Sequence, residues 1–451
     1  MAIPARTATV AADGTRVWVY PRDIPGGFHK LHRWTSAALH VVLFVVPWLS
    51  IGGKRVLHID VAGRRVWALG QMFTAADGVL LMLMGLLAAF LLFFFTSLFG
   101  RLWCGFACPQ SVFLINWVLP VEQWIEGIWK QRIKRDGKGF TVSTTGLKAT
   151  KFTAFAAIAF LLSMGFMGFF SDPAELWTLR AGSTSYGVVA FFTGLWFLDF
   201  AYAREQVCNY ICPYARFQGA LMDEQSLTIT YDVGRGEARG GKGAARDGRC
   251  LDCNWCVQVC PQGIDIRDGF QLECIACGRC VDACTAVMAK ASPSTETLIS
   301  YGTIAEQQGR DRRTVRFRTA LYAALLTGLA AAFLGVLLTR APFEVTVNRA
   351  PGSLFQIDGD LVRNTFLVHL TNTADAERAY SFDVEGLDDA VVTMPAVTLG
   401  PYETRMIPLA VQLARDRVTE RTYPLHVHVD DGHGAVTWET TFKTPGPGVA
   451  P

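Results

Sequence analysis

A chain of 451 residues is too long for one ordinary soluble domain, and 51% of it is hydrophobic, with 30 Phe and 12 Trp. The formal net charge of +3 hides an asymmetry: residues 341–451 carry 8 Lys+Arg against 15 Asp+Glu, the rest 34 against 24. That split excludes a single uniform surface. The basic residues flank apolar spans instead of forming an aromatic-interleaved stripe, so no nucleic acid is expected as a partner.

Residues 1–33 are polar and irregular, end in a cluster holding Lys30, His32 and Arg33, and lack the pattern of a cleaved signal peptide. Five apolar runs follow: Trp34–Ile51, Val79–Phe99, Phe152–Phe170, Tyr186–Ala203 and Ala320–Thr339. Each is long enough to cross a bilayer as a helix. With the N-terminus inside, 28 Lys+Arg fall in the three inner segments and 5 in the two outer loops, as the positive-inside rule requires. Asp199, near the end of the fourth run, is expected to snorkel to the interface. His40 in the first run is expected to be a packing residue.

Between the second and third runs, Gln110–Arg135 carries Trp117, Trp124 and Trp129, then Lys130, Arg132, Lys134 and Arg135, with Pro120 interrupting. It reads as an amphipathic helix lying in the membrane interface, or equally as a helix covering a cytoplasmic domain. Gly234–Gly248 is rich in Gly, Arg and Lys and is expected to be a flexible linker.

All 12 Cys lie between positions 104 and 284. Cys250-x-x-Cys253-x-x-Cys256-x-x-x-Cys260-Pro261 and Cys274-x-x-Cys277-x-x-Cys280-x-x-x-Cys284 repeat the spacing of bacterial ferredoxins. There the fourth Cys of each run ligates the other cluster. Cys250, Cys253, Cys256 and Cys284 are therefore assigned to one [4Fe–4S] cluster, and Cys274, Cys277, Cys280 and Cys260 to a second. Zinc would want two pairs of ligands, and a disulfide framework fits poorly when eight Cys fall in two such runs. The second run ends in Thr285, where Pro is usual. Iron–sulfur thiolates need a reducing compartment, so this segment is expected on the cytoplasmic side.

The other four Cys form a repeat. Cys104-Gly-Phe-Ala-Cys108-Pro109 follows the second run and Cys208-Asn-Tyr-Ile-Cys212-Pro213 the fourth, with an offset of 104 that also pairs Phe113 with Phe217. This is an internal duplication. In a helix, i and i+4 share a face, so each pair is expected to present two sulfurs to one point, and the following Pro, which disfavours helical geometry in the residue before it, is expected to end the helix there. Soft thiolates select Cu(I) or an iron–sulfur centre; buried apolar Cys are the plainer alternative.

Beyond the fifth run, short alternating stretches such as Leu361–Asn372, Tyr380–Val384, Met406–Val411 and Leu425–Val429 are separated by turns. They predict an antiparallel, immunoglobulin-like β-sandwich. His426 and His428 alternate on one strand and are expected on its solvent face, not as a copper site.

The order of these features resembles the FixG/RdxA/CcoG family, accessory proteins of cbb3-type cytochrome c oxidase assembly, and Val56–Gly70 resembles its first outside loop. The resemblance covers nearly the whole chain. It implies a multidomain fold: 1–33 cytoplasmic, 34–232 a four-helix membrane domain, 233–249 linker, 250–319 a ferredoxin-like α+β domain, 320–339 the fifth transmembrane helix, 340–451 a periplasmic sandwich. It further implies a protein of the bacterial inner membrane that reduces Cu(II) to Cu(I) for the oxidase. Cys104, Cys108, Cys208 and Cys212 would handle copper, and the other eight Cys would carry electrons through two [4Fe–4S] clusters. Expected partners are a copper chaperone or copper-transporting ATPase, oxidase subunits and an unknown cytoplasmic donor; a homodimer is allowed. Two other functions stay open: a quinol-linked electron relay without copper chemistry, and an assembly scaffold with structural clusters.

Overall fold

The computed structural model describes every residue except 1–8, 12, 75–76, 138–140, 241–243, 245–247, 292–295, 342 and 447–451, and the side chain of Ser143. The chain divides into two units, 1–331 and 332–451.

Five helices among the described residues are long and apolar enough to cross a membrane: Gly78–Phe99, Leu102–Glu126, Thr144–Met167 and Ser183–Ala203 in the first unit, and Phe317–Leu338, which contains the boundary between the units. Four overlap expected spans. The first expected span is not among them. Residues 34–45 of it fall in helix α1, Gly27–Val45, which starts seven residues early and carries His29, Lys30, His32 and Arg33 in its first two turns; the rest holds the 3-10 turn Val46–Trp48 and the strand Ser50–Ile51. Those polar residues lower its mean hydropathy without shortening it.

Packing separates the two unexpected cases. Call Gly78–Phe99 α2, Val142–Met167 α3, Ser183–Leu198 α4 and Phe317–Leu338 α5. Helix α1 starts against Asp282 of the second cysteine run, and its far end, with Phe44 and Pro47, lies beside Gly165 and Gly168 at the far end of α3. It therefore runs the length of the bundle, in the same direction as α3. The segment Leu102–Glu126 instead starts where Arg101 donates to the Leu272 carbonyl and ends where Glu126 pairs with Lys148 and Lys151, near the start of α3. Both its ends lie at the cysteine-rich end of the bundle, so it lies across that end without traversing the bundle.

The Gln110–Arg135 region is two pieces. Pro120 does not break it, because a π-helical turn over Leu114–Val118 immediately precedes the helix Leu119–Glu126 and accommodates the missing N–H. The break comes at Gly127, with φ +84°, before the helix Trp129–Asp136. A buried ionic cluster fastens this region: Glu122 pairs with Arg132, Lys151 and Arg204, and Glu126 with Lys148 and Lys151. Charges this deep persist only when mutually paired.

The cysteine runs fold into a compact lobe with little regular structure: helices Trp255–Gln258 and Arg279–Ala291, closed by antiparallel pairing of Thr228–Tyr231 with Ile299–Gly302. The lobe thus begins before residue 250. The described part of the expected linker is held to it, because the Cys250 amide donates to the Gly236 carbonyl and the Gly240 amide to the Cys250 carbonyl; residues 241–243 and 245–247 lie outside the described residues. Nor is the N-terminal stretch loose. Arg16 pairs with Glu205, Tyr20 with Asp136 and Asp23 with Arg279, while Ile24 packs on Val259 and Ala283. Residues 13–26 form a strap across the lobe and the bundle end.

The second unit is an antiparallel sandwich. One sheet runs Val391–Thr393, Thr404–Ala414, Leu361–Asn372, Phe343–Arg349, with Gln356–Asp358 also on the third of these. The other runs Val397–Leu399, Arg378–Glu385, Thr422–Asp430, Ala435–Lys443. Alternation sends Val362, Phe366, Val368 and Leu370 inward to meet Leu425, Val427, Val429 and Phe442, all fully buried.

Candidate iron–sulfur and thiol site

Two cavities in the lobe divide the eight Cys. One is lined by Cys250, Cys253, Cys256 and Cys284 with Leu298, Ile299 and Met288. The other is lined by Cys260, Cys274, Cys277 and Cys280 with Ile229, Ile264, Ile266 and Ile275; Cys256 also reaches it. The fourth Cys of each run lines the other run's cavity, as ferredoxin spacing requires. Among the described residues no three His, Cys, Asp or Glu converge tightly enough to hold a single metal ion. The thiols ring a space instead of meeting at a point. A four-thiol, otherwise largely apolar cavity suits an iron–sulfur cube, with each quartet as its ligands. Burial pushes the Cys256, Cys260 and Cys274 thiols up to about 12 and Cys277 to about 11. Ligand binding must therefore displace protons.

The duplication predicted from the other four Cys extends to the backbone. Gly100 and Arg204, 104 residues apart, end their helices at φ +55° and +51°. Cys108 and Cys212 both take extended geometry (ψ 126° and 112°) and cap new helices that open on Pro109 and Pro213. This corrects the expectation that each pair shares a helix face: the second Cys of each lies at a break, because the residue before Pro avoids helical ψ. Contacts cross between the copies. Gln110, two residues after Cys108, donates to Asp199 at the end of the fourth span, at 2.9 Å. Its counterpart Tyr214 bonds Thr96 at the end of the second, at 2.7 Å. The Cys104 thiol donates to Gln218 Oε1 at 3.2 Å, and Arg101 reaches the Ala215 carbonyl. Asp199 is thus held inside by Gln110 and does not snorkel. Burial, then the nearby Cys108, Cys104 and Cys212, push the Cys208 thiol well above its ordinary value. The four thiols are neighbours, yet they do not converge on one point.

The first copy touches the cluster lobe. Cys104 packs with Ile115, Ile275 and Cys277. A Cβ on Gly105 would stand 2.7 Å from the Ile275 carbonyl oxygen and 3.0 Å from that of Ala276, so only glycine permits this approach. His32 Nε2 donates to the Cys277 carbonyl at 2.8 Å while its ring stacks on Phe106 at 4.3 Å, and Tyr301 donates to the Ala276 carbonyl at 2.5 Å. Asp282, inside the second cysteine run, caps the start of α1 by accepting from the His29 and Phe28 amides at 2.8 and 3.2 Å. Spacing alone did not mark His32, Gln110, Gln218, Asp282 or Tyr301. His40 is engaged at both ring nitrogens, with the Ser36 carbonyl and Trp117 Nε1. His428 bonds Thr437 and lies 3.3 Å from Glu385 on the sandwich.

Comparisons with known proteins agree with this anatomy. Residues 203–303 match a family described as a 4Fe-4S dicluster domain, residues 81–117 one described as a 4Fe-4S binding domain, and residues 333–445 the IG-like fold at the C-terminus of FixG. Protein RdxA of Cereibacter sphaeroides is 34% identical over 396 residues, covering 82% of this chain and 83% of the relative. RdxB of the same organism is 35% identical over 433 residues, covering 86% and 88%. The nitrogen fixation protein FixG of Rhizobium meliloti is 30% identical over 496 aligned positions, covering 95% and 93%. With its apolar helices, paired cluster cavities and terminal sandwich, the chain belongs to the FixG/RdxA family of membrane iron–sulfur proteins.

Proposed function

We propose that this protein reduces Cu(II) to Cu(I) at its membrane-side thiols and supplies the Cu(I) to a cbb3-type cytochrome c oxidase during assembly. The observation that carries the reading is the shared packing of Cys104 and Cys277, with Gly105 pressed on the 275–276 backbone. The two [4Fe–4S] clusters, ligated by the two Cys quartets, supply single electrons when bound. Cu(II) takes up one electron and is retained as Cu(I) by Cys104 and Cys108, then by Cys208 and Cys212, because thiolates favour the softer ion. Gln218 orients the Cys104 thiol, and His32 and Asp282 hold the lobe against the bundle.

In the proposed topology the lobe faces the cytoplasm of a bacterial inner membrane and the sandwich the periplasm. The excess of Lys+Arg at the lobe end supports it. A cytoplasmic donor reloads the lobe, and a copper chaperone or transporting ATPase receives the product. The test is anaerobic purification with iron, sulfide and copper quantified, then mixing of reduced protein with Cu(II) and a Cu(I)-specific chelator. Cys104→Ala with Cys108→Ala should abolish copper reduction and copper binding at that pair while cluster absorbance persists; unchanged reduction sinks the reading.

A quinol-linked relay is the second reading. A cavity of about 620 Å³ beside the buried ion cluster, lined by Trp18, Tyr20, Phe152, Glu122 and Glu126, has the aromatic and carboxylate groups a quinol headgroup needs. Quinol oxidation by copper-free protein would favour it.

A further inference from the structure

A second large cavity, of about 600 Å³, lies between the strap, the start of α1 and the helices that cross the bundle end. It touches none of the twelve Cys. Its wall brings together Arg22, Arg33, Lys130, Arg132 and Arg279 against one carboxylate, Asp23. Arg132 and Arg279 are each 3% exposed and already paired, with Glu122 and Asp23. Arg22, Arg33 and Lys130 have no carboxylate partner among the described residues. The guanidinium of Arg22 lies 3.6 Å from the Trp255 ring centre, and the Lys130 ammonium 5.4 Å from that of Trp129.

Three uncompensated cations around one concavity raise its potential and call for an anion. The surroundings say which kind. Ile115, Leu119 and Pro120 give the same cavity an apolar side. Ile128 on its wall is 49% exposed, and Trp124, next to the lining residue Gln123, is 84% exposed. Exposed Trp beside Lys and Arg is the composition of a membrane–water interface, and basic pockets at that depth hold anionic lipid headgroups.

We propose that this cavity binds a phosphate-bearing anion, the headgroup of an anionic phospholipid, through Arg22, Arg33 and Lys130. The three cations come from three separate segments: the strap, α1, and the helix that follows Gly127. One bound phosphate therefore ties the strap and the start of α1, which are continuous in the chain, to the helix that follows Gly127. Because Arg22 lies on Trp255 and Arg279 precedes Cys280, the anion also clamps the cluster lobe to the bundle. The inference is independent of copper chemistry.

The test uses the full-length protein, delipidated in neutral detergent. Native mass spectrometry is run with phosphatidylglycerol, with phosphatidylcholine, and with inorganic phosphate. One phosphatidylglycerol should be retained per chain, and phosphatidylcholine should not. Retention should weaken tenfold or more in Arg33→Gln with Lys130→Gln, two exposed positions whose change leaves the fold intact. The charge-keeping pair Arg33→Lys with Lys130→Arg should restore it. Phosphatidylglycerol should also raise the temperature at which cluster absorbance is lost, in the wild type and not in the Gln pair. If inorganic phosphate alone gives the same protection with the same dependence on Arg33 and Lys130, the phosphate site stands and its source is the free anion. Equal retention of both lipids, retention indifferent to the Gln pair, or no binding of any of the three overturns the proposal.

Discussion

The two copies of the Cys-x-x-x-Cys-Pro unit share a backbone and differ in what surrounds it. In the first, Gly105 lies under the 275–276 carbonyls and Phe106 is 7% exposed beneath the ring of His32. In the second, Tyr210 and Ile211 at the matching middle positions are 38% and 66% exposed, and Asn209 reaches Thr9, whose carbonyl accepts from the Val17 amide of the strap. Duplication kept the turn that places each thiol and let the intervening residues diverge. One copy now faces the electron-carrying lobe and the other faces outward. On the proposed function this is a division of labour: the first copy receives electrons and the second releases metal.

The strongest way to break that division is to delete each pair separately. Cys104→Ser with Cys108→Ser should cut Cu(II) reduction at least a hundredfold. Cys208→Ser with Cys212→Ser should leave the first turnover and block handover to an added Cu(I) acceptor. Equal loss of reduction in both variants, measured by stopped-flow absorbance, would mean the four thiols act as one site.

Gly105 against Asn209 is a sharper contrast, because the two occupy the same position of the repeat. Gly105→Val forces Cβ into carbonyl oxygens that belong to backbone and cannot swing aside. The lobe must move away, and reduction should slow tenfold or more with iron content unchanged. Asn209→Val, in the open copy, should change the rate less than twofold. A Gly105→Val protein with normal kinetics would show that contact with the lobe is not the route.

How far the sequence revealed this arrangement depends on the range of the interaction. Ferredoxin spacing, four of the five apolar runs and strand alternation are local patterns that led to the right elements. The end of the helix at Cys108 and Cys212 was legible from Pro109 and Pro213, which disfavour helical ψ in the residue before them; the shared helix face expected from i, i+4 spacing does not survive that same constraint. Asp199 was misjudged because its partner, Gln110, is 89 residues away. The strap read as polar and irregular for the same reason: Arg16 finds Glu205 and Asp23 finds Arg279, contacts 189 and 256 residues apart. The first span began earlier than hydropathy indicated because His32 and its polar neighbours are helical, with His32 held against the lobe, which no window average detects.

Gln218 is the next test in size. It accepts from the Cys104 thiol and is fully buried, so Gln218→Leu removes one weak hydrogen bond and the group that orients that sulfur. Copper affinity should fall severalfold, while Gln218→Glu, which keeps an acceptor, should recover most of it. Loss of affinity at the Cys208 pair as well would argue against separate sites.

The smallest effect compares the two crossing hydrogen bonds. Gln110→Leu leaves the half-buried Asp199 carboxylate without its side-chain donor and should cost about 1–3 kcal/mol of stability, the penalty of an unsatisfied polar group. Tyr214→Phe removes only a neutral hydroxyl pair with Thr96 and should cost about 0.5–1.5 kcal/mol. Thermal loss of cluster absorbance in detergent should rank Gln110→Leu below Tyr214→Phe. The asymmetry follows from charge, because a buried carboxylate without a donor pays for its own desolvation and a buried threonine hydroxyl can turn to another acceptor. If the order is reversed, Asp199 is neutral in the folded protein, and the second copy carries its proton beside the Cys208 thiol.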